Sequence, residues 1–306
     1  MSRGETKETF RMGLDPRLQQ LLAYANPYAA SQPLMEPVAR PADFGGRDPA
    51  SCAWLFDRAG LRLERDEFKA ALLRDEAPIP ATQNREGYNG DDHFAYWVSG
   101  YVSYRSVLDI AARFGVASGR YLDFGGSTGR LFRHFQFQSR DWEVWSCDFK
   151  MSSVQWNLRH FQSAIKVFQN MYFPFLPMED NSVSLLTAMS VFTHIDETET
   201  TWLLELRRIL APGSIALVTV HDEHTWQVMG EELRNKIATY RPDLAGLPSL
   251  PEGRHVSNWR SDDPYRCDVF HSSGYVRRNW GRYFDVLDIV RDRFGHQSAV
   301  ILRKPD

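Results

Sequence analysis

Tyr121-Leu122-Asp123-Phe124-Gly125-Gly126-Ser127-Thr128-Gly129-Arg130-Leu131-Phe132 passes from apolar residues into glycines and back into apolar residues at helical spacing. That is the pattern of a strand, a tight turn and a helix. Gly125 and Gly126 let the backbone turn sharply and approach a ligand closely, and the amides that open the next helix are left as unpaired donors. A polar ligand is expected there. The usual occupant is a pyrophosphate, but Ser127 and Arg130 stand where Gly-x-Gly-x-x-Gly needs its second and third glycines. Asp123, just before the turn, would aim a carboxylate at the ligand and repel a phosphate, so a cationic or neutral ligand is expected.

Working outward, Leu131 to Phe137 reads as a crossover helix and Trp142 to Asp148 as a second strand. Strand, helix, strand in this rhythm implies a parallel sheet. The second strand ends in Asp148, where an acid in a doubly wound fold can accept both hydroxyls of a ribose; it can equally cap a helix over Met151 to Phe161. Ile165 to Gln169 and Val183 to Ala188 read as further strands. A helix runs from Trp202 into the turn Leu210-Ala-Pro-Gly-Ser214, and a fifth strand covers Ile215 to Val220.

The glycine turn resembles motif I of the class I S-adenosylmethionine-dependent methyltransferases, with Asp123, Gly125 and Gly129 matching and Ser127 in place of the middle glycine. The small-molecule methyltransferases of this class also carry a Leu-Pro approach, a strand, and a hydroxyl-rich end closing in His. Here these are Leu176, Pro177, Asp180, the strand Val183 to Ala188, and Ser190 to His194. Ser184 departs from the acid that many relatives carry, and Ser214 from the last glycine of the Pro-Gly-Gly turn. The resemblance covers roughly residues 119–221. It implies a Rossmann-like, doubly wound, mainly parallel α/β sheet with an antiparallel C-terminal pair, here Phe284 to Val290 and Ser298 to Arg303. It also implies S-adenosyl-L-methionine as cofactor, bound by Asp123, Phe124, Gly125, Gly126, Ser127 and Gly129, with Asp148 on the ribose, Phe149 on the adenine, and Asn170 and Ser190 alongside.

The chain has 306 residues, enough for one large domain with an added segment or two small domains. A net charge of -3 gives no general basic field, so no nucleic-acid partner is expected. No stretch approaches the ~20 apolar residues of a membrane span, and the N-terminus has no apolar signal core, so no membrane partner is expected. The three cysteines are widely spaced and odd in number, which argues against a disulfide framework and points to a reducing cytoplasm. Two units are expected: a mostly helical and irregular N-terminal segment, 1–105, covering the site, and the Rossmann-like domain, 106–306, with an insertion at about 222–282. Arg17 to Leu22 is a short helical candidate, and Ala53 to Leu73 reads as helix interrupted at Gly60. Regular structure is not expected in the Pro/Ala-rich passage up to Pro49. The aromatic cluster Tyr96, Trp97, Tyr101 and Tyr104 reads either as pocket lining or as the core of a helix, and Trp226 to Tyr240 as helix.

Transfer of a methyl group from a sulfonium is an in-line displacement that needs positioning and exclusion of water more than an acid–base array. A hydroxyl or protonated-amine acceptor also needs a base, and His suits neutral pH. His194 closes the fourth strand at the sheet edge where ligands bind, His221 holds the equivalent place after the fifth, and His271 lies in the insertion. His221-Asp-Glu-His224 offers metal-ligating side chains in a row, but four adjacent residues cannot all face one ion, and no metal is expected. The expected function is methyl transfer to a hydroxyl or amine of a small molecule, by analogy a sugar or secondary metabolite. A non-catalytic cofactor-binding or scaffold protein and a nicotinamide-dependent oxidoreductase are the alternatives.

Overall fold

The computed structural model describes residues 33–85, 87–161, 165–259 and 266–306; the helical candidate at Arg17 to Leu22 lies outside them. Ahead of the main sheet come β1 (Pro37–Ala39), α1 (Ala53–Arg58), α2 (Arg65–Arg74), β2 (Ile79–Pro80) and α3 (His93–Arg113). The interruption at Gly60 is present, with φ at +65° between α1 and α2. The Pro/Ala-rich passage is more ordered than expected, because β1 pairs with β2 and short 3-10 turns form at Pro41–Phe44 and Pro49–Cys52. Proline supplies the fixed φ that opens each of those turns.

The Rossmann-like part follows as β3 (Gly119–Phe124), α4 (Phe132–Gln138), β4 (Trp142–Asp148), α5 (Met151–His160), β5 (Lys166–Gln169), β6 (Val183–Ala188), α6 (Glu199–Ile209) and β7 (Leu210–Val220). Then come α7 (Glu223–Val228), α8 (Glu231–Tyr240), β8 (Arg254–Asn258), β9 (Cys267–His271), α9 (Ser273–Asn279), β10 (Asp285–Phe294) and β11 (Gln297–Arg303). The single helix expected at Trp226 to Tyr240 is two, broken at Gly230, which stands at the N-cap of α8. The β8–β9 hairpin has no forerunner in the sequence reading, since Arg254 to Asn258 lacks an apolar alternation.

The seven-stranded sheet has the order β10-β11-β7-β6-β3-β4-β5, parallel from β7 to β5 and antiparallel at β11 and β10. The fold class is thus the expected doubly wound sheet with an antiparallel C-terminal pair. Side chains alternate between two apolar layers: Tyr121, Leu185 and Leu217 pack on one face, Leu122, Leu186 and Val218 on the other. β7 begins at Leu210 rather than Ile215. Leu210 already pairs with Val183, and the register shifts by a bulge before Leu185, where Gly213 at φ +75° donates to the Lys304 carbonyl.

Helix α3 carries the aromatic cluster, and its residues are core. Trp97 stacks on Tyr101 at 5.3 Å and meets Phe68 edge-on at 5.6 Å, all buried. Residue 105 falls inside this helix, so the expected unit boundary cuts a continuous element. Gly100 lets the helix press on the glycine turn: a Cβ there would lie 2.0 Å from the Arg130 carbonyl oxygen. The clamp on this side is Asp75, which accepts from Arg133 Nε at 2.7 Å, Arg133 Nη2 at 3.1 Å and Trp97 Nε1 at 2.7 Å. Both ion-pair side chains are fully buried.

Asp75→Ala should leave Arg133 charged, buried and unpaired, and is expected to cost about 3–5 kcal/mol. Urea denaturation of the two proteins checks this, and a loss below about 1 kcal/mol would show that Asp75 is not the clamp.

Candidate active site

A cavity of about 460 Å³ opens at the carboxyl ends of β3, β4, β5 and β6. Strand ends meet there because the topology reverses direction beside β3, leaving a crevice between crossover loops. Phe124, Gly125, Ser127, Asp148, Phe149 and Asn170 wall one side, and Ser190 and His194 lie across from them in the lining. The volume falls in the range of small-molecule sites.

The glycine turn is built by close approach. The amides of Gly125 and Gly126 both donate to the Cys147 carbonyl at 3.0 Å, folding the turn over the end of β4. Gly125 sits at φ +76°, and a Cβ there would reach 2.5 Å from Val191 Cγ2. Ser127 keeps φ at +46° and donates its amide to Asp148 Oδ2 at 2.9 Å. Gly126 and Gly129 do not wall the cavity. A Cβ on Gly126 would meet Ser146 Oγ at 2.3 Å and one on Gly129 would meet Phe161 and Phe132, so both are glycine for packing.

Asp148 ends β4 nearly buried in the cavity wall. Its Oδ1 accepts the Lys150 amide at 2.8 Å, so it steadies the entrance to α5, although the N-cap of that helix is Lys150 and not Asp148 as the capping alternative expected. Phe149 and Asn170 flank it in the lining.

Asp123 departs from expectation. It pairs in register with Thr187 of β6 and so points to the Tyr121 face of the sheet, beneath the turn rather than into the cavity. Thr187 Oγ1 donates to Asp123 Oδ1 at 2.8 Å, which leaves Tyr121 to donate its hydroxyl to Thr187 at 2.7 Å. Burial pushes the Asp123 carboxyl up to about 6, against the lowering effects of the Thr187 hydrogen bond and Arg130.

Of the three candidate histidines only His194 lines the cavity. Its Nδ1 lies 2.6 Å from the Cys267 carbonyl oxygen of β9. His221 is buried between Phe270 and His296, and burial holds its imidazole well below the ordinary histidine range. His271 is completely buried with Nε2 2.5 Å from Glu199 Oε2. Glu199 also accepts from Arg254, Tyr275 and Trp280. Burial alone would raise the Glu199 carboxyl, but His271 and Arg254 bring it down to about 2. The insertion therefore buries His271 in an ionic core instead of bringing it over the site. The residues after His221 are also occupied: Asp222 caps α7, Glu223 accepts from Ser273, and His224 lies 3.4 Å from Asp292. No group of three or more His, Cys, Asp or Glu side chains among the described residues is placed to hold a metal.

Several wall residues escaped sequence reasoning: Tyr88, Trp202, Lys236, Trp259 and Arg266. They come from separate loops and helices; Lys236 lies over Trp259, with Nζ 4.5 Å from the ring centroid, and the Trp259 amide donates to the Arg266 carbonyl at 3.0 Å.

Residues 122–218 match the family model described as a methyltransferase domain. Over that stretch the chain is similar to the methyltransferase domains that the model describes. No curated protein matches the chain in sequence. Among solved structures, similarity extends to a putative S-adenosyl-L-methionine-dependent methyltransferase of Methanococcus maripaludis, at 18% identity over 73% of this chain and 94% of that one, TM-score 0.45. A glycopeptide N-methyltransferase complexed with S-adenosylmethionine is similar at 14% identity, over 66% and 87%, TM-score 0.45. A methyltransferase of Methanosarcina mazei is similar at 14% identity, over 64% and 97%, TM-score 0.46. The wall chemistry fits S-adenosylmethionine: Asp148 offers an acceptor for a diol, Phe149 an apolar face, and Gly125 a backbone surface free of side chain.

The Asp123 carboxyl binds its proton more tightly folded than unfolded, so its ionisation lowers stability as pH rises from about 4 to about 6. The displacement is worth about 3 kcal/mol at most. Asp123→Asn keeps the acceptor for Thr187 without the charge. Its stability relative to the parent should therefore rise by up to that amount between pH 4 and 7 in paired denaturation curves, and a constant difference would overturn the account.

Proposed function

We propose that the chain transfers a methyl group from S-adenosylmethionine to a hydroxyl or amine of a small molecule, a sugar or secondary metabolite. The observation that carries this reading is that His194 lines the same cavity as Gly125, Ser127 and Asp148. When bound, the cofactor supplies a methyl group on a sulfonium. Asp148 is the acceptor for the ribose hydroxyls and Phe149 packs on the adenine, with Asn170 and Ser190 as neighbouring polar contacts. Gly125 and Ser127 give the backbone surface under the methionyl part, while Asp123 and Thr187 hold that surface from beneath.

His194 is the base. A carbonyl oxygen can only accept, so the contact with Cys267 places a proton on Nδ1, and in the neutral imidazole Nε2 is then the basic nitrogen. That nitrogen would take the proton that the acceptor's hydroxyl or amine gives up. Ser190 stands beside it at φ +57°, its amide donating to Thr219 Oγ1 at 2.7 Å and its hydroxyl to Gln297 Oε1 at 3.1 Å. The acceptor side is built by Tyr88, ahead of α3, and by Lys236 and Trp259 of the segment between β7 and β10, which also exclude water. A cytoplasmic location accords with Cys52, Cys147 and Cys267 being buried and not joined in disulfides. Among the described residues no helix is long and apolar enough to cross a membrane.

Asp148→Ala should weaken S-adenosylmethionine and S-adenosylhomocysteine alike by about 2–4 kcal/mol in titration calorimetry, taking ~1–2 for each charge-assisted bond. A loss confined to one of the two would mean that the ribose is read elsewhere, and tight binding of NADH in their place would favour an oxidoreductase. His194→Ala should keep cofactor affinity and lower turnover by about 10²–10⁴. A mutant that retains its rate excludes His194 as the base.

A further inference from the structure

A second cavity, of about 270 Å³, adjoins the first and shares Tyr88, Met189 and Ser190 with it. We propose that this second cavity holds the methyl acceptor and that the acceptor carries a compact oxyanion, a carboxylate or a phosphate, gripped by Arg58 and Arg130. The inference rests on the methyl-transfer reading and names the substrate class for it.

Charge decides the matter. Three guanidinium groups line the second cavity, those of Arg58, Arg130 and Arg293, against the single carboxylate of Asp292. Arg293 is already paired with Asp109, and Asp292 lies against His224. Neither Arg58 nor Arg130 makes a salt bridge among the described residues, although Arg130 lies near enough to Asp123 to lower its carboxyl. Arg58 Nη2 donates to the Gly295 carbonyl at 2.9 Å, which fixes the guanidinium at the exposed rim. Arg130, half-buried, reaches only the Ser103 hydroxyl, at 3.5 Å, and lies over the Tyr88 ring at 4.9 Å from its centroid. Most of the donors on both forks are left unused, and a fork of fixed N–H groups matches the oxygens of a carboxylate or phosphate. A neutral acceptor would cover these two cations without compensating them, so the cavity also selects against it.

Geometry then orders the acceptor. The Tyr88 hydroxyl donates to Ser190 Oγ at 3.0 Å, so this pair stands at the boundary between the two cavities. A molecule anchored through its anion at the arginines presents its other end to that boundary, toward the space that His194 lines. The shared wall is what connects binding in one cavity with reaction in the other.

The test is calorimetry on the full chain saturated with S-adenosylhomocysteine, titrated with sodium phosphate and, separately, sodium acetate in a zwitterionic buffer without chloride. At least one anion should bind saturably, and the tighter of the two names the acceptor's group. Arg58→Gln and Arg130→Gln should each weaken it about tenfold or more, equivalent to about 1.4 kcal/mol, and the double variant should abolish it. Arg130→Lys should fall between the parent and Arg130→Gln. S-adenosylhomocysteine affinity should stay within about twofold throughout, which shows that the variants are folded. No binding of either anion to the parent, or undiminished binding to the double variant, overturns the proposal. Failure of the parent to bind S-adenosylhomocysteine would instead remove the methyl-transfer reading on which it rests.

Discussion

The Asp148 carboxylate, taking the amides of Ser127 and Lys150, joins the turn after β3 to the entrance of α5. Two neighbouring parallel strands end side by side, and each must send its chain away into a crossover helix. Their first amides have no partners within the strands. One acid at the end of β4 satisfies an amide from each, so the gap between the two strand ends is held at a fixed width. The cavity is that gap, continued by the loop after β6.

Support for the turn comes from below and from the side. Below it, the buried sequence of hydroxyls from Tyr121 through Thr187 to Asp123 gives a polar floor inside an apolar sheet. Each member is satisfied by the next, which a buried polar group requires. From the side, α3 reaches the turn only because Gly100 carries no Cβ, and the Asp75–Arg133 pair fastens α2 and α3 to α4. The N-terminal helices are in this sense part of the site's foundation.

The sheet was readable because strands buried on both faces are short apolar runs, and glycines and prolines punctuate them; Trp142–Asp148 and Val183–Ala188 have the bounds expected. Asp148 and His194 were readable because they close strands at the edge where such sheets bind ligands. Asp123 was misplaced since motif spacing gives a residue's position along the chain but not the sheet face, which depends on register with Thr187. His221 and His271 were misassigned for a related reason: nothing local reveals that Glu199, far away in sequence, is waiting for His271. Tyr88 and Trp259 belong to irregular connections, and tertiary packing alone brings them to the cavity. The β8–β9 hairpin, whose strand residues are largely polar, left no periodic trace.

The partner of His194 Nδ1 is a main-chain carbonyl of β9, not a side chain. Every amino acid carries that oxygen. Replacement of Cys267 by another residue of similar size would therefore leave the imidazole tautomer unchanged, a protection against mutation that a side-chain carboxylate partner would lack. The same dependence makes it vulnerable to backbone displacement. An insertion or deletion within the β8–β9 hairpin would change which atom faces the ring, and would alter basicity without touching any residue of the cofactor wall.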